Sequence, residues 1–144
     1  MRQIFTRLAL TGAGTILGLI GGALMFSPKT FLAMSHVIVE RDPSLMSELT
    51  APSGLLLISG ALMIFGAIKF QYASLALFIG ALVYGSYGAG RLVSISLHGL
   101  PSESLITAMV IELAVAVLLS ALGVVNQVGQ NSTNADAYIA QMSV

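Results

Sequence analysis

Four long apolar runs, at 8–26, 49–68, 72–97 and 104–125, divide the chain, and short polar breaks separate all but the first pair. A hydrocarbon core about 30 Å thick is crossed by roughly 20 residues of helix rising about 1.5 Å each, and every run reaches that length. The pattern predicts an all-α protein, an integral membrane four-helix bundle within residues 1–125. Local signals mark the helix ends. Asp42 before Pro43 reads as a cap with proline in the first turn. Pro52 cannot donate to the carbonyl of Glu48, so a kink or a helix start is expected near Glu48. His98-Gly99-Leu100-Pro101 reads as a glycine stop with proline beyond it. Ser102 reads as the N-cap of the fourth helix, and residues 126–144 read as a polar, loose C-terminal tail.

Arg2 and Arg7 precede the first run as the n-region of a signal peptide would, but the run is long for an h-region and no A-x-A pattern follows it. It is read as a retained first span. Arg2, Arg7 and Lys69 then fall on one side of the membrane, with Lys29 and Arg41 on the other. The excess of basic residues predicts an N-in/C-in orientation. The connection from Ser27 to Glu48, about 22 residues, exceeds ordinary loop lengths and is expected to carry structure of its own. Phe31-Leu32 and Val37-Ile38-Val39 suit it to the membrane surface or to folding back over the bundle.

Composition supports this picture: 56% of the residues are hydrophobic and 8% charged, against about a quarter charged in soluble domains. Six basic and six acidic residues balance to zero, which leaves no electrostatic footprint for nucleic acid. Without cysteine, thiol catalysis, disulfides and thiolate-held metals are excluded. No phosphate-binding glycine loop, G-x-S-x-G or H-E-x-x-H motif is present, and no cofactor is expected. Met34, His36 and Met46 share one loop and are of types that suit Cu(I), but their spacing adds nothing. They are read as flexible apolar filler, and no metal is assigned. Asn131-Ser132-Thr133 matches a glycosylation sequon in a tail expected to be cytoplasmic and is discounted.

Charge inside the apolar runs carries the chemical interest. Arg91 and Glu112 would each cost about 2.5–3.5 kcal/mol unpaired in a bilayer, so each should face the protein interior and find a partner. Counted from the ends of their spans, they lie roughly 9 and 12 Å below the same membrane surface, within reach of one another. Glu48 starts the second span at that same end. Tyr84, Tyr87, Arg91, Ser94 and His98 recur at intervals of three and four, on one side of the third helix. A cluster of Glu48, Arg91 and Glu112 would hold a formal charge of −1 and suit a proton, a cation or a cationic head group. Equally, an Arg–Glu pair can serve only to hold helices in register. Gly14, Gly18 and Gly22 on the first helix, and Ala81, Gly85 and Ala89 on the third, are small-residue stripes for close packing within the bundle or between copies.

Ser47-Glu48-Leu49 with Ala51 and Gly54, Gly90-Arg91-Leu92 with Ser94, Gly99 and Pro101, and Glu112-Leu113 resemble the small bacterial four-helix membrane proteins of domain-of-unknown-function family 4345. The resemblance covers about residues 8–125 and implies a four-span inner-membrane protein in which Glu48, Arg91 and Glu112 are marked polar positions. Thr50 and His98 depart from the family pattern, which is basic at the first and acidic just before the Gly-x-Pro turn. A looser likeness to DoxX-like four-helix proteins is one of topology. The expected role is non-enzymatic: binding of a lipid or small amphipath, or service as an accessory subunit of a larger membrane complex. The alternative is transport or proton-coupled work by Glu48, Arg91 and Glu112. A redox or enzymatic role would require a cofactor. Membrane lipids, and a homo-oligomer or larger complex, are the partners such a chain would have.

Overall fold

The computed structural model describes residues 1–39 and 42–142, with 129–141 described along the backbone only. Arg41 and the side chains of the sequon lie outside the described residues. Five helices follow in order: α1 Arg2–Phe26, α2 Pro28–Ala33, α3 Pro43–Ile68, α4 Ala73–His98 and α5 Glu103–Met142, with a 3-10 turn at Phe70–Tyr72 before α4. No strand occurs among the described residues. Four helices are long and apolar enough to cross a membrane, which makes this a multi-pass membrane protein.

The helix ends follow the local chemistry. The Asp42 carboxylate accepts the Leu45 N–H at 2.8 Å, and Pro43 occupies the first turn, where its missing N–H has no cost. α3 continues unbroken through Pro52, so the helix starts well before Glu48. The hydroxyl of Thr50 donates to the Met46 carbonyl at 3.0 Å, and that of Ser53 donates to the Thr50 carbonyl, filling acceptors around the proline. Gly99 ends α4 with φ of 90°, a conformation open to glycine, while its N–H still reaches the Ile95 carbonyl at 3.0 Å. Ser102 opens α5 with its carbonyl, but its hydroxyl does not cap the helix. It donates to the Ser35 carbonyl at 3.1 Å and so ties the long loop across the α4–α5 turn.

α5 extends past the expected end at Val125 to Met142, so the polar segment is helical rather than loose. No proline follows Asn126 to stop the ladder, and alanine, glutamine and methionine favour its continuation.

α1 packs chiefly along α3 and α4 along α5, and the two pairs meet mainly at α3 and α4. The α1–α3 contact is set by glycine. A Cβ on Gly60 would lie 2.6 Å from the Gly14 carbonyl oxygen and 2.8 Å from the Gly18 nitrogen, so only hydrogen allows the backbones to approach. Gly14 and Gly18 therefore take part as expected, but Gly22 lies at the edge and the buried position is Gly21. On α4, Gly85 makes an ordinary contact with Ala116, while the tight approaches fall at Gly80 and Gly88. Leu10, Leu56, Met63, Leu77 and Leu119 fill the centre. Tyr84 is buried and donates its hydroxyl to the Ala13 carbonyl at 2.8 Å, a polar tie between the two helix pairs.

Candidate functional site

Arg91 and Glu112 meet as the depth argument predicts. Arg91 Nε donates to Glu112 Oε2 at 2.8 Å and Nη2 donates to Oε1 at 3.1 Å, a two-pronged pair that fixes both planes. Packing beside it sets the distance. A Cβ on Gly88, one turn before Arg91, would lie 2.6 Å from Leu113 Cδ2, so the bare glycine draws α5 in where Glu112 must be reached. This is the only ion pair among the described residues. It is partly open, with the Arg91 side chain 30% exposed and that of Glu112 14%.

The opening has a cause in the packing. Buried residues run from Thr6 to Gly21 on α1, from Ser53 to Ala67 on α3, from Ala73 to Gly88 on α4 and from Ala116 to Asn126 on α5. No described residue of 22–52 or 89–115 is buried. The core thus fills the end of the bundle near Arg7 and Phe70, where the guanidinium sits 5.6 Å from the ring centroid, and stops before the level of Arg91. In that unfilled end, Ser86, Tyr87, Gly90, Arg91 and Ser94 line a groove of about 380 Å³ along α4. Its wall combines an apolar helix surface with hydroxyls and a guanidinium.

Of the residues expected in the cluster, Tyr87 is half-buried beside the pair, and Ser94 and His98 are exposed further along α4. Glu48 does not join them. It is exposed on α3 and makes no side-chain hydrogen bond or ion pair among the described residues. The reason is topological: α3 packs on α1 and α4 and hardly meets α5, so sharing an end of the bundle with Glu112 does not bring Glu48 beside it. What remains is a neutral pair rather than a cluster of charge −1, and the case for a cationic ligand falls with Glu48. Tyr84, on the same sequence stripe, turns instead into the core towards α1. Met34 and His36 are exposed in the turn after α2, and Met46 lies on α3.

The fold and the pair define a class: a multi-pass helical membrane protein with one intramembrane Arg–Glu pair at an open end of the bundle. The chain belongs to the DUF4345 family, a domain of unknown function, whose model matches residues 5–122. No curated protein and no solved structure matches it, and nothing among the matches supports the DoxX-like likeness.

Proposed function

We propose that this protein binds a lipid or small amphipath in the open end of its bundle, with the polar group of the ligand at Arg91 and its tail along α4. One observation carries the reading: the core stops short of the Arg91 end, leaving a charged, hydrogen-bonding pair beside an unfilled groove walled by the Tyr87 ring, Gly90 and the hydroxyls of Ser86 and Ser94. A guanidinium has five N–H donors, and Glu112 engages Nε and Nη2. Donors left over in a bilayer require acceptors, because each unsatisfied polar group there is costly. Ser94 and Tyr87 add hydroxyls to the same wall. The matching head group carries oxygen acceptors, neutral or anionic.

The role is non-enzymatic, and we place the chain in a bacterial inner membrane with both termini inside. Arg2, Arg7 and Lys69 at one end of the bundle support that orientation. Transport through Glu48, Arg91 and Glu112 has less support, since α3 carries Glu48 away from the pair. An accessory role in a larger assembly would use the same open end.

Gly90 provides the test. A Cβ there meets nothing within 4 Å, so Gly90→Leu fills the groove without touching the core. The purified protein should carry an amphipath detectable by native mass spectrometry, and Gly90→Leu should lose it with helicity and thermal stability unchanged. A variant that keeps the same bound species at the same occupancy would overturn the reading.

A further inference from the structure

A second cavity lies on the other helix pair, apart from the Arg91 groove. About 540 Å³ in volume, it is lined by Phe26, Ser27, Pro28, Lys29, Thr30, Asp42, Pro43 and Met46. Its position follows from the chain: α1 ends at Phe26, α2 turns away at Pro28, and α3 begins at Pro43, so the cavity sits where the first two spans meet the membrane surface. Phe26, Pro28 and Met46 supply apolar wall. Lys29 and Asp42 bring one positive and one negative charge to the same rim without forming an ion pair with each other. The hydroxyls of Ser27 and Thr30 complete a polar edge. One Asp42 oxygen is held by the Leu45 N–H, which fixes the carboxylate in place, and the other has no hydrogen-bond partner among the described residues.

We propose that this cavity holds the zwitterionic head group of an aminophospholipid, with the phosphate at Lys29 and the hydroxyls of Ser27 and Thr30, and the ammonium at Asp42. Two opposite charges held apart on one rim match a ligand whose own opposite charges are a few bonds apart. An anionic lipid would satisfy Lys29 and be repelled by Asp42. The apolar wall at the end of α1 and the start of α3 favours a lipid over a free zwitterion, because it gives the first carbons of the chains a surface to cover. The inference does not rest on the Arg91 groove.

Native mass spectrometry of the full chain in detergent, titrated with phosphatidylethanolamine, phosphatidylglycerol or free phosphoethanolamine, tests it. Partly exposed charge pairs are worth a fraction of a kcal/mol to about 1 kcal/mol, so phosphatidylethanolamine should bind up to roughly fivefold more tightly than phosphatidylglycerol. Asp42→Asn keeps the helix cap, since asparagine caps as well as aspartate, and should erase that preference. Lys29→Gln should weaken both lipids. In the Gly90→Leu background, where the groove on α4 is filled, the preference for phosphatidylethanolamine should persist and still be lost with Asp42→Asn, which assigns it to this site. Equal binding of the two lipids by the wild type, or a preference that survives Asp42→Asn, would overturn the proposal. Displacement of the lipid by equimolar free phosphoethanolamine would overturn the lipid as the ligand.

Discussion

Glu112→Gln removes the charge that answers Arg91 while keeping the shape of the side chain and one acceptor oxygen. A hydrogen bond to a charged group contributes about 1.5–3 kcal/mol, and an unpaired arginine in mid-helix costs about 2.5–3.5 kcal/mol. Both figures must be reduced here, because the Arg91 side chain is 30% exposed and sits near enough to its helix end to extend towards water. A loss of roughly 1–2 kcal/mol is expected, or about a five- to thirtyfold shift in the unfolding equilibrium. The double variant Arg91→Met/Glu112→Leu removes both charges and leaves nothing stranded. It should come within about 1 kcal/mol of the wild type or exceed it, because apolar replacements of buried pairs are often neutral or stabilising. Unfolding by dodecyl sulfate in mixed micelles, followed by helical circular dichroism, measures both. The reasoning is refuted if Glu112→Gln matches the wild type, or if the double variant is less stable than the single. Ligand analysis of the double variant adds a functional readout: it should fold and yet lack the bound amphipath.

Three further outcomes are expected in the same unfolding assay. Tyr84→Phe removes the tie to Ala13 and should cost about 0.6 kcal/mol, the average for such bonds between membrane helices; an unchanged midpoint would mean that the hydroxyl is satisfied elsewhere. Gly60→Ala should cost about 1–3 kcal/mol because its methyl group meets the backbone of α1, whereas Gly18→Ala, with open space at its Cβ, should be neutral or slightly stabilising. Equal effects from the two would contradict the observed interface. Asn126 is 2% exposed, and its Nδ2 has no hydrogen-bond partner among the described residues; Asn126→Leu should hold or raise stability by about 1 kcal/mol, and a loss of that size would reveal an unseen partner.

The spans and the Arg91–Glu112 contact were legible in the sequence because both depend on distance along a helix. Hydropathy gives length, and a count of residues from each end gives depth. Which helix neighbours which is not encoded that way. Glu48 has the right depth, but it stands on a helix that barely touches α5. The same limit applies to the glycines: the stripe on α1 marks a small face, but the decisive hydrogen atom belongs to Gly60 on the partner helix. Tyr84 shares its spacing with Arg91 and Ser94, but periodicity cannot show that the core ends near Gly88. Below that level a side chain on this stripe enters the bundle, and above it the same stripe is open. The continuation of α5 is hidden in the sequence because polar composition resembles that of a disordered tail, although a polar segment without proline can extend a helix already nucleated in the bilayer.

The 40 residues of α5 make a rod about 60 Å long, twice the thickness of a hydrocarbon core. Leu119, fully buried, is its natural fulcrum, with Glu112 on one arm and about 35 Å of helix on the other. The arms are unequal, so the rod gears small displacements into large ones. A tilt of about 10° moves Glu112 by only about 2 Å and the far tip near Met142 by about 6 Å. A label at the C-terminal end would therefore register motion at the Arg91 pair about threefold enlarged, on the opposite side of the bilayer.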